Sequence, residues 1–320
     1  IATADMAERL DMFSNVVVFI TYATYVIMSL MMMVMIFMFL PAAQVSAGRI
    51  NEVLRAKTQL HEGTVTQAGE TGTVEFKNVS FRYPDSNRNE LNNVSFRVDK
   101  GETIAFIGAT GSGKTTLISL VARFYDATEG TVLVDGVNVK DYAFDALYDR
   151  LGYVTQRAVL FAGTIRENVE FGESREPTAE EDVIKALELA QAAEFVEKLP
   201  DGIQYEIAQD GVNVSGGQKQ RLSIARALAR KPEILIFDDS FSALDYKTDS
   251  KLRAGLALNL RDTTCMIVAQ RIGTIRHADR IVVLDDGHVA GVGTHDELME
   301  NCGVYREIAM SQLSAKELNA

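Results

Sequence analysis

The feature that most constrains this chain is an uncharged stretch near its start. From Met12 to Gly48 there is no Asp, Glu, Lys or Arg. Within it, Val16 to Leu40 is a run of 25 apolar or small residues, which as a helix would be roughly 37 Å long at about 1.5 Å per residue. That length can cross a hydrocarbon core of about 30 Å with some tilt. The stretch therefore predicts a transmembrane helix.

Two alternatives to a membrane span are a signal peptide and a buried helix of a soluble protein. A signal peptide has a basic leader and an apolar stretch of about 7–15 residues, whereas this leader is acidic and the run is longer. A buried soluble helix rarely lacks a polar face over seven turns. Beyond Pro41, apolar residues continue at helical spacing among Arg49, Arg55 and Lys57. We expect the helix to extend into the cytoplasm, with these basic residues on the inner side.

The formal net charge of −12 arises after residue 60, because the charges of the first sixty residues balance. An acidic domain repels a phosphate backbone, so nucleic-acid binding is not expected. The two cysteines, Cys265 and Cys302, form neither a disulfide framework nor a metal-binding CxxC pair. Two cysteines fit a reducing compartment, although they are weak support for one.

A glycine-rich loop follows the short apolar run Thr103–Ile107, and a helical pattern that includes Leu117 and Val121 follows the loop. Strand, glycine loop and helix are the context of a P-loop, whose backbone N–H groups surround phosphates. Lys114 would add a charge at the outer phosphates, and Thr115 a hydroxyl for Mg²⁺. The candidate phosphate-binding residues are Gly108, Thr110, Gly111, Ser112, Gly113, Lys114, Thr115 and Thr116.

Two further segments extend this prediction. The apolar strand Ile234–Phe237 ends at Asp238, whose carboxylate can hold hydrated Mg²⁺ opposite the P-loop threonine. Val214–Gln218, with Ser215, Gly216 and Gly217, opens a predicted helix at Gln218–Arg230. A serine and two glycines at a helix N-terminus can bind an anion, although in isolation the segment is better described as a capped helix start.

Val214–Gln218 lies twenty residues before the Asp238 strand, and in that context it resembles the signature motif of ABC ATPases. Tyr83 then matches the aromatic that stacks on adenine in that family, with core packing as its alternative. Gln156 matches the Q-loop glutamine that contacts Mg²⁺ and senses the membrane domain, and Ser242–Asp245 matches the D-loop. Val45–Leu54 looks like the end of the last transmembrane helix of an ABC exporter. The resemblance covers about residues 16–313.

The resemblance implies an α/β fold, the P-loop NTPase nucleotide-binding domain of ABC type with a helical subdomain near Arg157–Arg230, preceded by a transmembrane helix. It implies ATP and Mg²⁺ as cofactors. We expect the C-terminal part of a transmembrane domain at 1–60 (span about 16–40, cytoplasmic extension 41–60), a linker at 61–72, the nucleotide-binding domain at 73–313 and a tail at 314–320. Helices are also expected within Glu180–Glu197 and over Leu298–Gln312.

Three residues depart from the family pattern. Asp239 stands where hydrolysing members carry Glu, and a carboxylate shortened by about 1.5 Å is a serious defect because misplacement of about 1 Å can cost 10²-fold. Gln270 replaces the switch histidine; it can still hydrogen-bond a γ-phosphate, but it cannot become a cation. Gln209 stands where exporters usually have Glu. Independent drift is the alternative to a shared functional cause.

This combination resembles one subunit of heterodimeric bacterial exporters, which implies a second ABC half-transporter as partner. The chain's own P-loop would bind ATP and hydrolyse it slowly at Asp239 and Gln270. Its Ser215, Gly216, Gly217 and Gln218 would complete the partner's site. Gln156 and Asp245 of the D-loop are further candidate catalytic residues. A non-hydrolysing regulatory subunit and a homodimeric slow exporter remain alternatives.

The expected location is the cell membrane, in contact with lipid, with the nucleotide-binding domain in the cytoplasm. A single span cannot enclose a transport pathway, and residue 1 is Ile, so we expect the C-terminal part of a longer, multi-pass protein. The helices that would line a substrate cavity are not in this sequence, so the sequence does not indicate the transported substrate.

Overall fold

The computed structural model describes residues 2–58, 60–172 and 178–312. The chain divides into two units, Ile1–Gln59 and Leu60–Ala320, and each is described by itself. The first unit is one helix, α1 (Ala2–Arg55), which continues through Pro41. Its segment Glu8–Arg55 is long and apolar enough to cross a membrane, and its most apolar window is not buried in the protein. Length and composition alone support a span here.

Three hydroxyls of α1 have their hydrogen bonds met within the helix. The hydroxyls of Thr21, Thr24 and Ser29 donate to the backbone carbonyls four residues earlier at 2.8–2.9 Å. An unpaired hydroxyl would be costly in hydrocarbon. These bonds remove that cost, so the three hydroxyls are compatible with an apolar environment.

The second unit is built from strands and helices that alternate along the chain. Its strands are β1 (Val74–Phe81), β2 (Leu91–Val98), β3 (Thr103–Ile107), β4 (Glu129–Val134), β5 (Val137–Asn138), β6 (Leu151–Val154), β7 (Gly163–Thr164), β8 (Glu206–Ile207), β9 (Ile234–Asp238), β10 (Thr264–Val268), β11 (Arg280–Asp285) and β12 (His288–Gly293). Its helices are α2 (Lys114–Val121), α3 (Phe144–Tyr148), α4 (Ile165–Glu170), α5 (Glu180–Leu189), α6 (Ala193–Val196), α7 (Gly216–Ala229), α8 (Tyr246–Asn259), α9 (Ile272–Ile275), α10 (His295–Asn301) and α11 (Gly303–Gln312).

The central sheet has the order β12-β11-β3-β10-β9-β6. Its strands are parallel except β12, which pairs antiparallel with β11. Alternate residues of a strand point to opposite faces, and in β3 both faces are covered, because Ala105 and Ile107 join one hydrophobic core while Ile104 and Phe106 join the other. Such burial on both faces explains the continuous apolar runs of these strands. The loops after β3, β9 and β10 therefore emerge at one edge of the sheet.

An antiparallel sheet with the order β2-β1-β4-β5 contributes to the second of these cores. Helices α4 and α5 pack against α7, and their buried side chains contribute to the first. The α/β fold with a P-loop and a helical subdomain is as predicted. The sequence placed α7 at Gln218–Arg230, and the helix begins two residues earlier at Gly216.

Three segments differ in detail from the sequence-based expectation. The helical stretch expected at Glu180–Glu197 is divided into two helices, α5 and α6. The expected closing helix at Leu298–Gln312 is interrupted at Cys302, whose extended backbone separates α10 from α11. In the segment assigned to a linker, Val65 lies beside Tyr142 in a parallel bridge and its N–H donates to the carbonyl of Asp141 at 2.9 Å. Part of that segment therefore packs on the domain.

Candidate nucleotide-binding site

The loop between β3 and α2 has a backbone that only glycine fits at two positions. Gly108 has φ +158° and Gly113 has φ +95°. A Cβ on Gly108 would lie 2.0 Å from the carbonyl oxygen of Leu284, and one on Gly113 would lie 2.8 Å from that of Glu90. The backbone at Leu284 and at Glu90 therefore leaves no room for a side chain at either glycine. A side chain at either position would require the loop or its neighbours to shift.

The ammonium of Lys114 lies inside the loop that it follows. Its Nζ donates to the carbonyls of Gly108 (2.8 Å) and Ala109 (2.7 Å) and to the Oγ of Ser112 (3.1 Å). Burial lowers the pKa of Lys114, and the carboxylates of Asp238 and Asp239 act in the opposite direction. A charged donor whose direct partners are neutral can exchange them for the charged oxygens of a phosphate.

Thr115 and Asp238 meet across the edge of the sheet, as the two motifs predicted. The hydroxyl of Thr115 donates to Oδ1 of Asp238 at 2.9 Å. Asp238 is 5% exposed, and burial raises its pKa, with the hydrogen bond from Thr115 opposing the rise. One hydroxyl and one carboxylate suit Mg²⁺, which usually takes one or two carboxylates together with phosphate oxygens and water. Among the described residues no cluster of three or more His, Cys, Asp or Glu could hold a metal alone.

Asp239 is held by two glutamines. Its Oδ2 accepts from Nε2 of Gln156 at 3.2 Å and from Nε2 of Gln270 at 2.8 Å. Its backbone is left-handed, with φ +46°, and its N–H donates to the carbonyl of Val268 at 3.0 Å. Burial raises the pKa of Asp239, and the two amide hydrogen bonds oppose that rise. The three residues singled out from separate motifs therefore meet at one carboxylate oxygen.

Tyr83 lies beside the helix that follows the loop. Its hydroxyl is 3.0 Å from Oγ1 of Thr116, and its ring is edge-on to Phe81 and Tyr125 at centroid distances of 4.8 and 5.1 Å. The ring is half-buried. Tyr83 therefore packs against other aromatic side chains, as its alternative role predicted. Part of its ring also remains exposed next to the loop.

The predicted second anion site is a well-formed helix start. The Oγ of Ser215 accepts from the N–H of Gln218 (3.3 Å), and Oε1 of Gln218 accepts from the N–H of Ser215 (2.8 Å). Ser215 and Gly216 are exposed. Within the described part of the chain, no hydrogen bond joins residues 215–218 to residues 108–115. The two glycine-rich segments are thus not brought together in one chain.

Asp245, the D-loop residue, caps a different helix. Its Oδ1 accepts from the N–H of Thr248 at 3.0 Å, and its Oδ2 accepts from the Thr248 hydroxyl at 2.7 Å. These bonds lower the pKa of Asp245. Asp245 is therefore the N-cap of α8, at the end of the loop that begins with Asp239.

Sequence reasoning missed Gln312 at this site. Gln312, at the end of α11, hydrogen-bonds the backbone on both sides of Arg271, next to Gln270. The two segments are about forty residues apart, and the only sequence signal was the amphipathic pattern of the closing helix. That pattern predicts packing, but it does not identify the residue that reaches the loop.

Residues 91–242 match the family model described as ABC transporter. An uncharacterized ABC transporter ATP-binding protein of Mycobacterium tuberculosis is 41% identical over 302 residues, which are 93% of this chain and 52% of the relative. One of Bacillus subtilis is 44% identical over 299 residues, 93% of this chain and 51% of the relative. A putative multidrug export ATP-binding/permease protein of Staphylococcus aureus is 44% identical over 238 residues, which are 74% of this chain and 41% of the relative.

Among solved structures, a bacterial Atm1-family ABC exporter with ATP bound superposes with a TM-score of 0.76 at 33% identity. The match covers 87% of this chain and 49% of that one. The chain spans about half the length of the curated relatives it matches. The P-loop geometry, the family model and the relatives agree, and together they show that this chain carries the ATP-binding domain of an ABC transporter, similar to the domains of these exporters.

Proposed function

We propose that this chain is the ATP-binding part of a half-transporter whose own P-loop holds Mg²⁺–ATP but hydrolyses it slowly. The observation that carries this proposal is the pair of hydrogen bonds from Gln156 and Gln270 to one oxygen of Asp239. Asp239 occupies the position after the magnesium-binding aspartate, where a general base would act.

The geometry of this chain's loop supports the following proposed roles. Backbone N–H groups of the loop and the N-terminus of α2 bind the phosphates, and Lys114 binds the outer phosphate oxygens. Thr115, Asp238 and Gln156 would hold Mg²⁺, which would supply positive charge to neutralise the phosphates. Tyr83 supports the adenine ring.

We attribute the slow hydrolysis to the short reach of the Asp239 carboxylate rather than to its basicity. The ordinary pKa values of aspartate and glutamate differ little, about 3.9 against 4.3. A general base must approach the attacking water within about 2.6–3.2 Å or act through one further water. The shorter aspartate side chain, already bonded to two amides, is withdrawn from that position. Gln270 can donate to a γ-phosphate, but it carries no positive charge.

The intact segment 215–218 supports a second role in a partner's site. Ser215 is exposed at the N-terminus of α7, and such a position suits a phosphate that another chain presents. We propose a head-to-tail pair with a second half-transporter, in which residues 215–218 and Asp245 complete the site on the partner's P-loop. In that pair the partner's site hydrolyses ATP while this chain's own site mainly binds it. Together, ATP binding and hydrolysis at the two sites drive export across the cell membrane.

The apolar helix α1 and the exporter relatives support a membrane location. We propose that α1 is the last span of a multi-pass transmembrane domain in contact with lipid, and that the ATP-binding domain is cytoplasmic. The Staphylococcus aureus relative is named for multidrug export, which supports export as the direction of transport.

The test is ATP turnover and subunit composition of the purified full-length protein, alone and with the half-transporter that copurifies. We expect little turnover from this protein alone and substantial turnover from the pair. Fast turnover by this protein alone would instead establish an active homodimeric exporter. A slow pair would leave the regulatory, non-hydrolysing alternative.

A further inference from the structure

The last described residue of α11 bonds the loop that carries Gln270. Nε2 of Gln312 donates to the carbonyl of Gln270 at 2.8 Å, and Oε1 of Gln312 accepts from the N–H of Ile272 at 2.9 Å. Both ends of one amide are thus used on backbone groups two residues apart. Two directional bonds define where the loop lies far better than one would.

Gln312 reaches this loop from a firmly packed helix. Tyr305 and Ala309 of α11 are fully buried in the core of the domain, and the hydroxyl of Tyr305 lies 2.7 Å from Nδ1 of His295. Arg306 closes the junction with α10 by donating to the carbonyl of Met299 at 2.8 Å. The loop is therefore tied to a fixed support.

The loop needs such an external partner because of how α9 begins. The first N–H groups of a helix have no acceptor inside the helix. The residue before α9, Arg271, makes no side-chain capping bond. Ile272 is fully buried, where an unpaired N–H would be costly. The side chain of Gln312 supplies the acceptor that the local sequence lacks.

The same loop places the side chain that faces the nucleotide site. Gln270 donates from Nε2 to Asp239 at 2.8 Å, while its own carbonyl accepts from Gln312. A continuous path of hydrogen bonds therefore runs from α11 through Gln270 to Asp239. The path ends at Asp239, the position where the proposed function places a general base, and Gln270 within it is the residue that can donate to a γ-phosphate.

We propose that Gln312 is a positioning residue of the nucleotide site, which holds the backbone of Gln270 so that its amide meets the γ-phosphate of bound ATP. This inference rests on the proposed function, because it takes ATP to be bound at the loop 108–115. It makes the C-terminal helix a part of that site. Gln312 should therefore affect the affinity for ATP but not for ADP, since ADP has no γ-phosphate for Gln270 to contact.

The experiment uses the full-length protein with its copurifying half-transporter in lipid nanodiscs. Photolabelling with 8-azido-ATP is read on the band of this chain, and competition by ATP or ADP gives the affinity for each. For Gln312→Ala we expect ATP affinity to fall about three- to tenfold, the range of one ordinary hydrogen bond, with ADP affinity unchanged. Gln270→Ala should show the same split, and the double variant should lose no more than either single variant.

Two further variants make the result specific. Gln312→Glu keeps the acceptor for Ile272 but loses the donor to Gln270, so an intermediate loss for ATP is expected. Met310→Ala, on the same helix at a side chain that is 59% exposed, is the matched control and should leave both affinities unchanged.

The inference is overturned if Gln312→Ala weakens ATP and ADP equally, or weakens neither while Gln270→Ala weakens ATP. Those outcomes leave the proposed function standing. Absence of labelling on this chain in the unmodified protein would instead reject ATP binding at this loop, and with it both proposals. Fast hydrolysis at this loop would reject only the slow-site part of the proposed function.

Discussion

The molecule has two glycine-rich helix starts, and they differ in how complete they are. The loop before α2 has its lysine folded inward onto its own carbonyls, and its threonine bonded to Asp238. The start of α7 bonds only itself through Ser215 and Gln218 and leaves Ser215 exposed. The first, the cradle, is the phosphate-binding loop that we propose for this chain, and its hydrogen bonds are made within one chain. The second presents donors outward, which suits a phosphate held by another chain.

The largest effect should come from a carboxylate at the start of α7. Gly217→Asp places a negative charge where the partner's ATP would lie, so we expect turnover of the assembled exporter to fall about 100-fold or more. Phosphate release from proteoliposomes measures it. Gly255→Asp makes the same change within α8, where an added Cβ meets nothing within 4 Å, and should leave turnover near normal. Turnover within twofold of normal for Gly217→Asp would remove α7 from any active site.

A smaller defect, confined to ATP binding by this chain, is expected from a substitution in the cradle itself. Gly108→Ala brings a Cβ to 2.0 Å from the carbonyl oxygen of Leu284, so the loop must shift at a cost of about 1–3 kcal/mol. We expect ATP photolabelling of this chain to fall at least about tenfold and labelling of the partner to persist. Gly69→Ala, with open space around it, is the control. Equal loss on both chains would show that the two sites are not separable.

Lengthening the carboxylate at Asp239 tests why the cradle is slow. In protein that already carries Gly217→Asp, the remaining turnover reports this chain's own loop. There, Asp239→Glu should raise turnover about tenfold, since about 1 Å of reach is worth up to 10²-fold, whereas Asp239→Asn should change little. Steady-state phosphate release distinguishes the two. A large loss with Asp239→Asn would mean that Asp239 already acts as an effective base.

The smallest effect concerns a carboxylate that lies in neither glycine-rich segment. Asp135 accepts from the N–H of Thr73 and from Arg150, both at 2.9 Å, and burial raises its pKa from 3.8 to about 6. Because the folded value exceeds the unfolded one, this group's stabilising contribution is present below the unfolded value and is lost as pH rises through about 6.

Thermal unfolding of the full-length protein and of Asp135→Asn checks this pH effect. On going from about pH 7 to about pH 5, the normal protein should gain a few degrees in Tm relative to the variant, in line with the raised pKa. ATP labelling of either chain should not follow this change. A stability difference that is the same at both pH values would contradict the assignment.

The sequence was sufficient for the parts of the site that local rules determine. The strand before Gly108, the helix after Thr115 and the strand that ends at Asp238 follow from hydrophobic pattern and glycine placement. The meeting of Thr115 with Asp238 follows as well, because parallel strands deliver their carboxyl ends to one edge of a sheet. Residue roles at these positions remain proposals.

Contacts between distant segments could not be read in the same way. Gln156 and Gln270 were each identified from a motif, but their shared bond to Oδ2 of Asp239 depends on side-chain rotamers. Gln312 was not identified, because nothing in a closing helix marks which residue caps a neighbouring loop. The break at Cys302 was also missed, although Gly303 beside it is the kind of residue that weakens a helix.

The central claim is that this chain's cradle keeps its ATP intact while the partner's site turns over. It is tested most directly by the nucleotide that stays bound after many turnovers. The assembled exporter is passed rapidly through a desalting column, quenched in acid, and its ATP and ADP are counted. The account predicts about one intact ATP for each pair of chains, and its loss in Lys114→Ala. Finding only ADP on the unmodified pair would contradict the account.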